Sequence, residues 1–163
     1  MGTGKTETEQ TTIDFFGTRN IPKHMKNVRS LGLAIKDFEI PPYVKKYEVK
    51  TRYWSPKKDI LIHSLTGHLH MRGKAVRLEL TDASGNTRPV LSIPNFYYGW
   101  QTGASLKPEK KILVKTTDKI QAICTYDNSA QNPFNPDPSK KVHFGQRVDR
   151  TEMCKMNMSY TYK

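Results

Sequence analysis

Ile120-Gln121-Ala122-Ile123-Cys124-Thr125-Tyr126 and Cys154-Lys155-Met156-Asn157-Met158-Ser159-Tyr160 are the two stretches that decide the fold. In each, every second residue is apolar or a cysteine, the period of a strand with one buried face. The two runs read as neighbouring strands. Similar short runs, rich in Val, Ile, Tyr and Phe, occupy 31–40, 45–54, 60–65, 75–81, 90–93 and 111–116, separated by Gly, Pro and Asn. Helical periodicity is almost absent, so the expectation is an all-β, antiparallel, jelly-roll-like sandwich of eight to nine strands. Pro133, Pro136 and Pro138 place 128–141 outside the ladders, because proline cannot donate to them.

The chain of 163 residues is long enough for one domain with a sizeable core. It shows no apolar run of membrane-spanning length and no charged leader followed by an apolar segment. Lysine and arginine outnumber acidic residues 27 to 15, a formal charge of +12 that attracts anions. A nucleic-acid module concentrates such charge beside stacking aromatics or on a reading helix. Here it is scattered over strands and turns, so a solvated surface is expected and nucleic acid is not a predicted partner. Gly2-Thr3-Gly4-Lys5-Thr6 has the tail of a phosphate-binding loop without its first half or the preceding strand, and reads as a polar terminal segment.

The chemistry is concentrated in His68-Leu69-His70 and Met153. In an extended chain His68 and His70 leave the same face while Leu69 turns into packing. Imidazole suits zinc, copper, iron and nickel; a thioether favours Cu(I). The competing reading makes the histidines surface or filler residues, and Met153, Met156 and Met158 flexible core packing. His63, five residues before His68, is expected on the opposite strand face. His143 precedes the methionine segment and is a candidate donor beside the site, the alternative being a surface histidine at the rim of the proline-rich loop. Tyr97, Tyr98 and Trp100 line an apolar cleft or sit in a strand core, two readings the sequence leaves open.

Several ordered motifs carry a resemblance over nearly the whole chain: Gly67-His68-Leu69-His70-Met71-Arg72-Gly73-Lys74, Ile93-Pro94-Asn95-Phe96-Tyr97-Tyr98-Gly99-Trp100-Gln101, Tyr126-Asp127-Asn128-Ser129 with its following Asn-Pro pairs, and Glu152-Met153-Cys154. The sequence resembles the carboxy-terminal catalytic domain of the copper type II, ascorbate-dependent monooxygenases, and more narrowly their bacterial branch. That resemblance implies one copper ion held by His68, His70 and Met153, a disulfide between Cys124 and Cys154, and hydroxylation of a substrate C–H bond by dioxygen. The bridge would close about thirty residues of loop and add roughly 3 kcal/mol. Two free buried cysteines are the alternative.

It also implies a preceding domain with a second copper site, an electron donor, a small organic or peptide substrate and a periplasmic or secreted location. Residues 1–28 read as an interdomain connection plus a first strand, and 29–163 as the copper-binding sandwich. His24, His63 and His143 do not cluster in sequence as a second copper site would. The expectation is therefore a fragment of a two-copper enzyme, the alternative being a noncatalytic copper-binding or electron-transfer module.

Overall fold

The computed structural model describes residues 4–6 and 8–163. Of the glycine-rich start, Gly2 and Thr3 lie outside the described residues, as does Met1. Eleven strands follow in chain order: β1 (Arg29–Ile35), β2 (Glu39–Ile40), β3 (Tyr47–Lys50), β4 (Ile60–His68), β5 (Gly73–Thr81), β6 (Thr87–Ile93), β7 (Gly103–Ser105), β8 (Ile112–Val114), β9 (Lys119–Tyr126), β10 (Val142–His143) and β11 (Cys154–Tyr162). The only helical turn among the described residues is a three-residue 3-10 segment, Pro108–Lys110. No helix there is long and apolar enough to cross a membrane.

All strand pairing between named elements is antiparallel. One sheet runs β1-β11-β4-β7 with β8 also on β4, another runs β3-β9-β5-β6, and β10 pairs with β2. The expected all-β sandwich is what forms. The strand number exceeds eight or nine because β2, β7 and β10 are only two or three residues long and carry no alternation to read. Among the described residues the first strand begins at Arg29.

Alternation fills the space between the sheets. Ile60, Ile62 and Leu65 from β4 meet Val76, Leu78 and Leu80 from β5, Ile120, Ala122 and Cys124 from β9, and Met156 and Met158 from β11, all buried in one core. Burial of that apolar surface is the main term stabilising the fold.

Cys124 and Cys154 are disulfide-bonded, with Cα atoms 5.7 Å apart. Their strands, however, are not neighbours. β9 lies between β3 and β5 in one sheet and β11 between β1 and β4 in the other. The bridge therefore crosses the sandwich. Period-two alternation identifies each buried face, but two strands that face each other across a core alternate in the same way as two strands side by side.

The chain changes sheets between β4 and β5, at residues 69–72. Leu69 is fully buried there, and Gly73 N–H donates to His70 O at 3.1 Å to close the turn. A Cβ on Gly73 would lie 2.4 Å from Leu69 Cβ, so only glycine lets the chain fold back this tightly. Just upstream, a Cβ on Gly67 would lie 2.4 Å from Val76 Cγ1, so the two sheets approach closely here and a side chain would displace Val76. The His-x-His motif sits at this corner.

A candidate metal centre at the sheet-to-sheet corner

His68 ends β4, and His70 lies two residues beyond it. Their ring centroids are 5.2 Å apart with planes at 83°. Leu69 turns into the core between them, as strand alternation predicts. On the adjacent strand, Lys155 is paired with His68. Beyond the ladder the link continues through side chains and backbone: His70 N–H donates to Glu152 Oε2 and His70 Nδ1 faces Thr151 O, so the corner lies against the segment that carries Met153. Met153 is half-buried while Cys154 is fully buried, so the thioether-bearing residue faces away from the disulfide. The competing reading of three core methionines applies to Met156 and Met158 alone.

Each imidazole is oriented through one ring nitrogen. His70 Nδ1 lies 2.8 Å from Thr151 O, and a carbonyl oxygen only accepts, so Nδ1 carries the proton and Nε2 keeps its lone pair. His68 Nδ1 lies 2.6 Å from Gln101 Oε1. The Gln101 amide nitrogen donates to Tyr98 O at 3.1 Å, which fixes Oε1 as the atom facing His68. Nε2 is again the free nitrogen. Burial, partly offset by the Thr151 hydrogen bond, holds the pKa of His70 below the ordinary imidazole value, so the ring is a neutral donor near pH 7.

The backbone under these side chains is clamped by Glu152 and Tyr126. Glu152 is fully buried. Its Oε2 accepts the amides of His70 at 2.8 Å and Met153 at 3.3 Å, and its Oε1 accepts the amide of Arg72 at 2.7 Å. One carboxylate thus joins the histidine corner to the methionine strand. Burial pushes its pKa up to about 7, against the pull of the three N–H groups and Arg72. Tyr126 O–H donates to Met153 O at 2.8 Å, and burial raises that phenol well above its ordinary range, so it stays a donor. Both backbone polar groups of Met153 are held by buried side chains.

Among the described residues no group of three or more His, Cys, Asp or Glu is arranged to hold a metal. A metal at this corner would need a donor of another kind beside the two imidazoles, and the Met153 thioether is the candidate from the sequence. The donor chemistry fits a soft monovalent ion: two neutral nitrogens with free lone pairs, a thioether and no carboxylate oxygen in the set.

The remaining candidates are elsewhere. His143 is exposed, its ring 3.7 Å from Glu39, and only its carbonyl reaches the centre, accepting from Glu152 N–H at 3.0 Å. His63 Nε2 bonds Thr161 Oγ1 at 2.9 Å. It was expected on the face opposite His68, but the β4–β11 register shifts beside it: Ser159 pairs with Ser64 and Tyr160 with Ile62. Ile62 and Leu65 both point inward, so a bulge restores His63 to the outer face that also carries His68. His24 and His63 border one hollow with Lys26 and Lys111, whose ammonium charges oppose a second cation.

Tyr97, Tyr98 and Trp100 are not in a strand. Tyr97 and Trp100 are exposed and border a cleft of about 190 Å³ together with Gly67, Phe96 and Gln101. Tyr98 packs on the core with its ring edge-on to His70 at 6.3 Å. The roles of Gln101, Thr151 and Glu152 are set by the fold and carry no local sequence pattern of their own. Only the proximity of Glu152 to Met153, and of Gln101 to an aromatic loop, signalled them.

The geometry thus describes a β-sandwich with two imidazoles at one corner and the Met153 segment tied to it through Glu152. Residues 27–163 match the family model described as "Copper type II ascorbate-dependent monooxygenase, C-terminal domain", and the chain belongs to that family. No curated protein matches the sequence. Among solved structures, "Structure of infectious bursal disease virus Gx strain" aligns at 12% identity and a TM-score of 0.38, covering 90% of this chain and 38% of that one. A likeness at that level carries no argument about this chain.

Proposed function

We propose that this domain carries the dioxygen-activating copper of a longer monooxygenase that hydroxylates a substrate C–H bond, with His68, His70 and Met153 as the ligands. The observation that carries the reading is the pair of imidazoles, each with Nδ1 tied down and Nε2 free, beside a methionine fixed on both sides of its backbone. Copper supplies the redox chemistry and the binding of dioxygen when it is present. His68 and His70 orient the ion, and the thioether favours its reduced state. Gln101 and Thr151 fix which ring nitrogen is offered, and Glu152 holds the two supporting segments in register. The cleft beside Gln101, flanked by exposed Tyr97 and Trp100, is the apolar surface on which a small organic or peptide substrate would rest.

A preceding domain with a second copper, and an external electron donor, complete the reading, together with a periplasmic or secreted location in a bacterium. The disulfide supports that location, because such bonds persist in oxidising compartments. A noncatalytic copper carrier is the second reading. It is favoured by the scatter of His24, His63 and His143, none of which assembles another cation site with the described residues. Extending the gene upstream separates the two. An added β domain with several histidines, and substrate-dependent incorporation of labelled dioxygen by the copper-loaded parent, are the expected results. Tight copper binding without oxygen incorporation across a broad substrate panel would overturn the enzyme reading.

A further inference from the structure

Behind the metal corner lies a cleft of about 510 Å³, bordered by Arg72, Pro136, Asp137, Lys140, Lys141, Asp149 and Arg150. Arg72 is its floor. This residue is only 1% exposed, yet no carboxylate forms an ion pair with it among the described residues. Its Nε donates to Asn128 Oδ1 at 3.0 Å and its Nη1 reaches Asp149 O at a long 3.4 Å. Nη2 has no protein acceptor among the described residues. No fully buried polar side-chain atom there lacks a partner, so this amine opens onto the cleft. A guanidinium sunk in protein, with its outer edge unsatisfied, is arranged for an acceptor from outside the chain.

The walls agree with that charge. Lys140, Lys141 and Arg150 stand at the rim with Asp137 and Asp149 between them, so that with Arg72 four cationic groups border the cleft against two acidic ones. Lys141 is paired with Glu39 at 2.9 Å, and Glu152, Asp137 and Asp149 offset part of the Arg72 charge from a distance. Both acids are engaged: Asp137 Oδ1 accepts Ser139 N–H and O–H at 2.9 and 2.6 Å, and Asp149 Oδ2 lies 3.4 Å from Arg147 and from Arg150. Lys140 forms no ion pair among the described residues. The frame is fixed by Asn128, fully buried, whose amide donates to Pro41 O and Lys140 O while its carbonyl oxygen takes Arg72 Nε and Asn135 Nδ2. Little ordering therefore remains to be done on binding.

We propose that this cleft binds a small oxyanion, a phosphate or carboxylate group held two-pronged by the outer edge of Arg72 and screened by Lys140 and Arg150. The test needs no copper. Phosphate, sulfate and acetate are titrated into the full chain while arginine side-chain N–H signals are followed by NMR. Saturable shifts at Arg72, with a dissociation constant on the order of 1 mM or tighter, are expected. A preference for phosphate and sulfate over acetate at equal concentration identifies a tetrahedral oxyanion, and the reverse a carboxylate. Arg72→Lys should weaken binding about tenfold by losing the fork. Should that variant fail to fold, Lys140→Glu and Arg150→Glu at the exposed rim should each weaken binding several-fold in folded protein. Failure of Arg72 to shift, or shifts no larger than at the exposed Arg88 and untouched by the rim variants, would overturn the proposal.

Discussion

Replacing Tyr126 by Phe isolates one contact of the centre. The ring is fully buried, stacked on Phe38 at a centroid distance of 6.1 Å, and its hydroxyl donates to Met153 O at 2.8 Å. Tyr126→Phe keeps the ring, its stacking and the neighbouring disulfide, and removes a single O–H. A net intramolecular hydrogen bond contributes about 1 kcal/mol, and a buried acceptor left without its donor costs about 1–3 kcal/mol. The Met153 carbonyl lies one residue before the buried Cys154, in a half-buried segment. The expected loss is about 1.5–2 kcal/mol, read as a lower urea midpoint with an unchanged slope. Because that hydroxyl also fixes the segment presenting the thioether, Cu(I) affinity should fall by about tenfold or more. Stability within about 0.3 kcal/mol of wild type and unaltered copper affinity, together, would refute the claim that Tyr126 positions Met153.

Reduction of the disulfide, or Cys124→Ser with Cys154→Ser, should cost about 3–4 kcal/mol because the bond closes a separation of 30 residues and ties one sheet to the other; denaturant curves with and without reductant check it. Gln101→Leu keeps the bulk but removes the acceptor from His68, and should lower copper affinity by about 10- to 100-fold in a competition titration while the apo midpoint hardly moves. Gly67→Ala drives a Cβ into Val76 and should cost about 1–3 kcal/mol in thermal or chemical unfolding, with part of the loss recovered when Val76→Ala is added.

Alternation made the strands legible: the buried Cys124, Tyr126, Cys154, Met156 and Met158 fall at every second position, and both histidines of the motif frame a buried Leu69. Which strands share a sheet was not legible, because Cys124 and Cys154 alternate identically whether their strands lie side by side or across a core. His63 was misplaced for a related reason. Parity counts residues, and the bulge between Ile62 and Ser64 inserts one without any Gly or Pro to mark it. The ligand candidates were readable because they are close in sequence or rare in type. Their supports were not: Gln101 reaches His68 across 33 residues and Glu152 reaches His70 across 82, contacts set by the corner between the sheets and not by any local pattern.

Which atoms hold copper is read directly from the metal's own coordination shell. X-ray absorption at the copper edge of the reduced, copper-loaded protein should show nitrogen scattering from two imidazoles and one sulfur shell, with the sulfur shell lost in Met153→Ile. Free cysteines are absent among the described residues, so Met71 is the nearest alternative sulfur in sequence. An unchanged sulfur shell in Met153→Ile, or a wild-type spectrum with no sulfur, would contradict the assignment of His68, His70 and Met153.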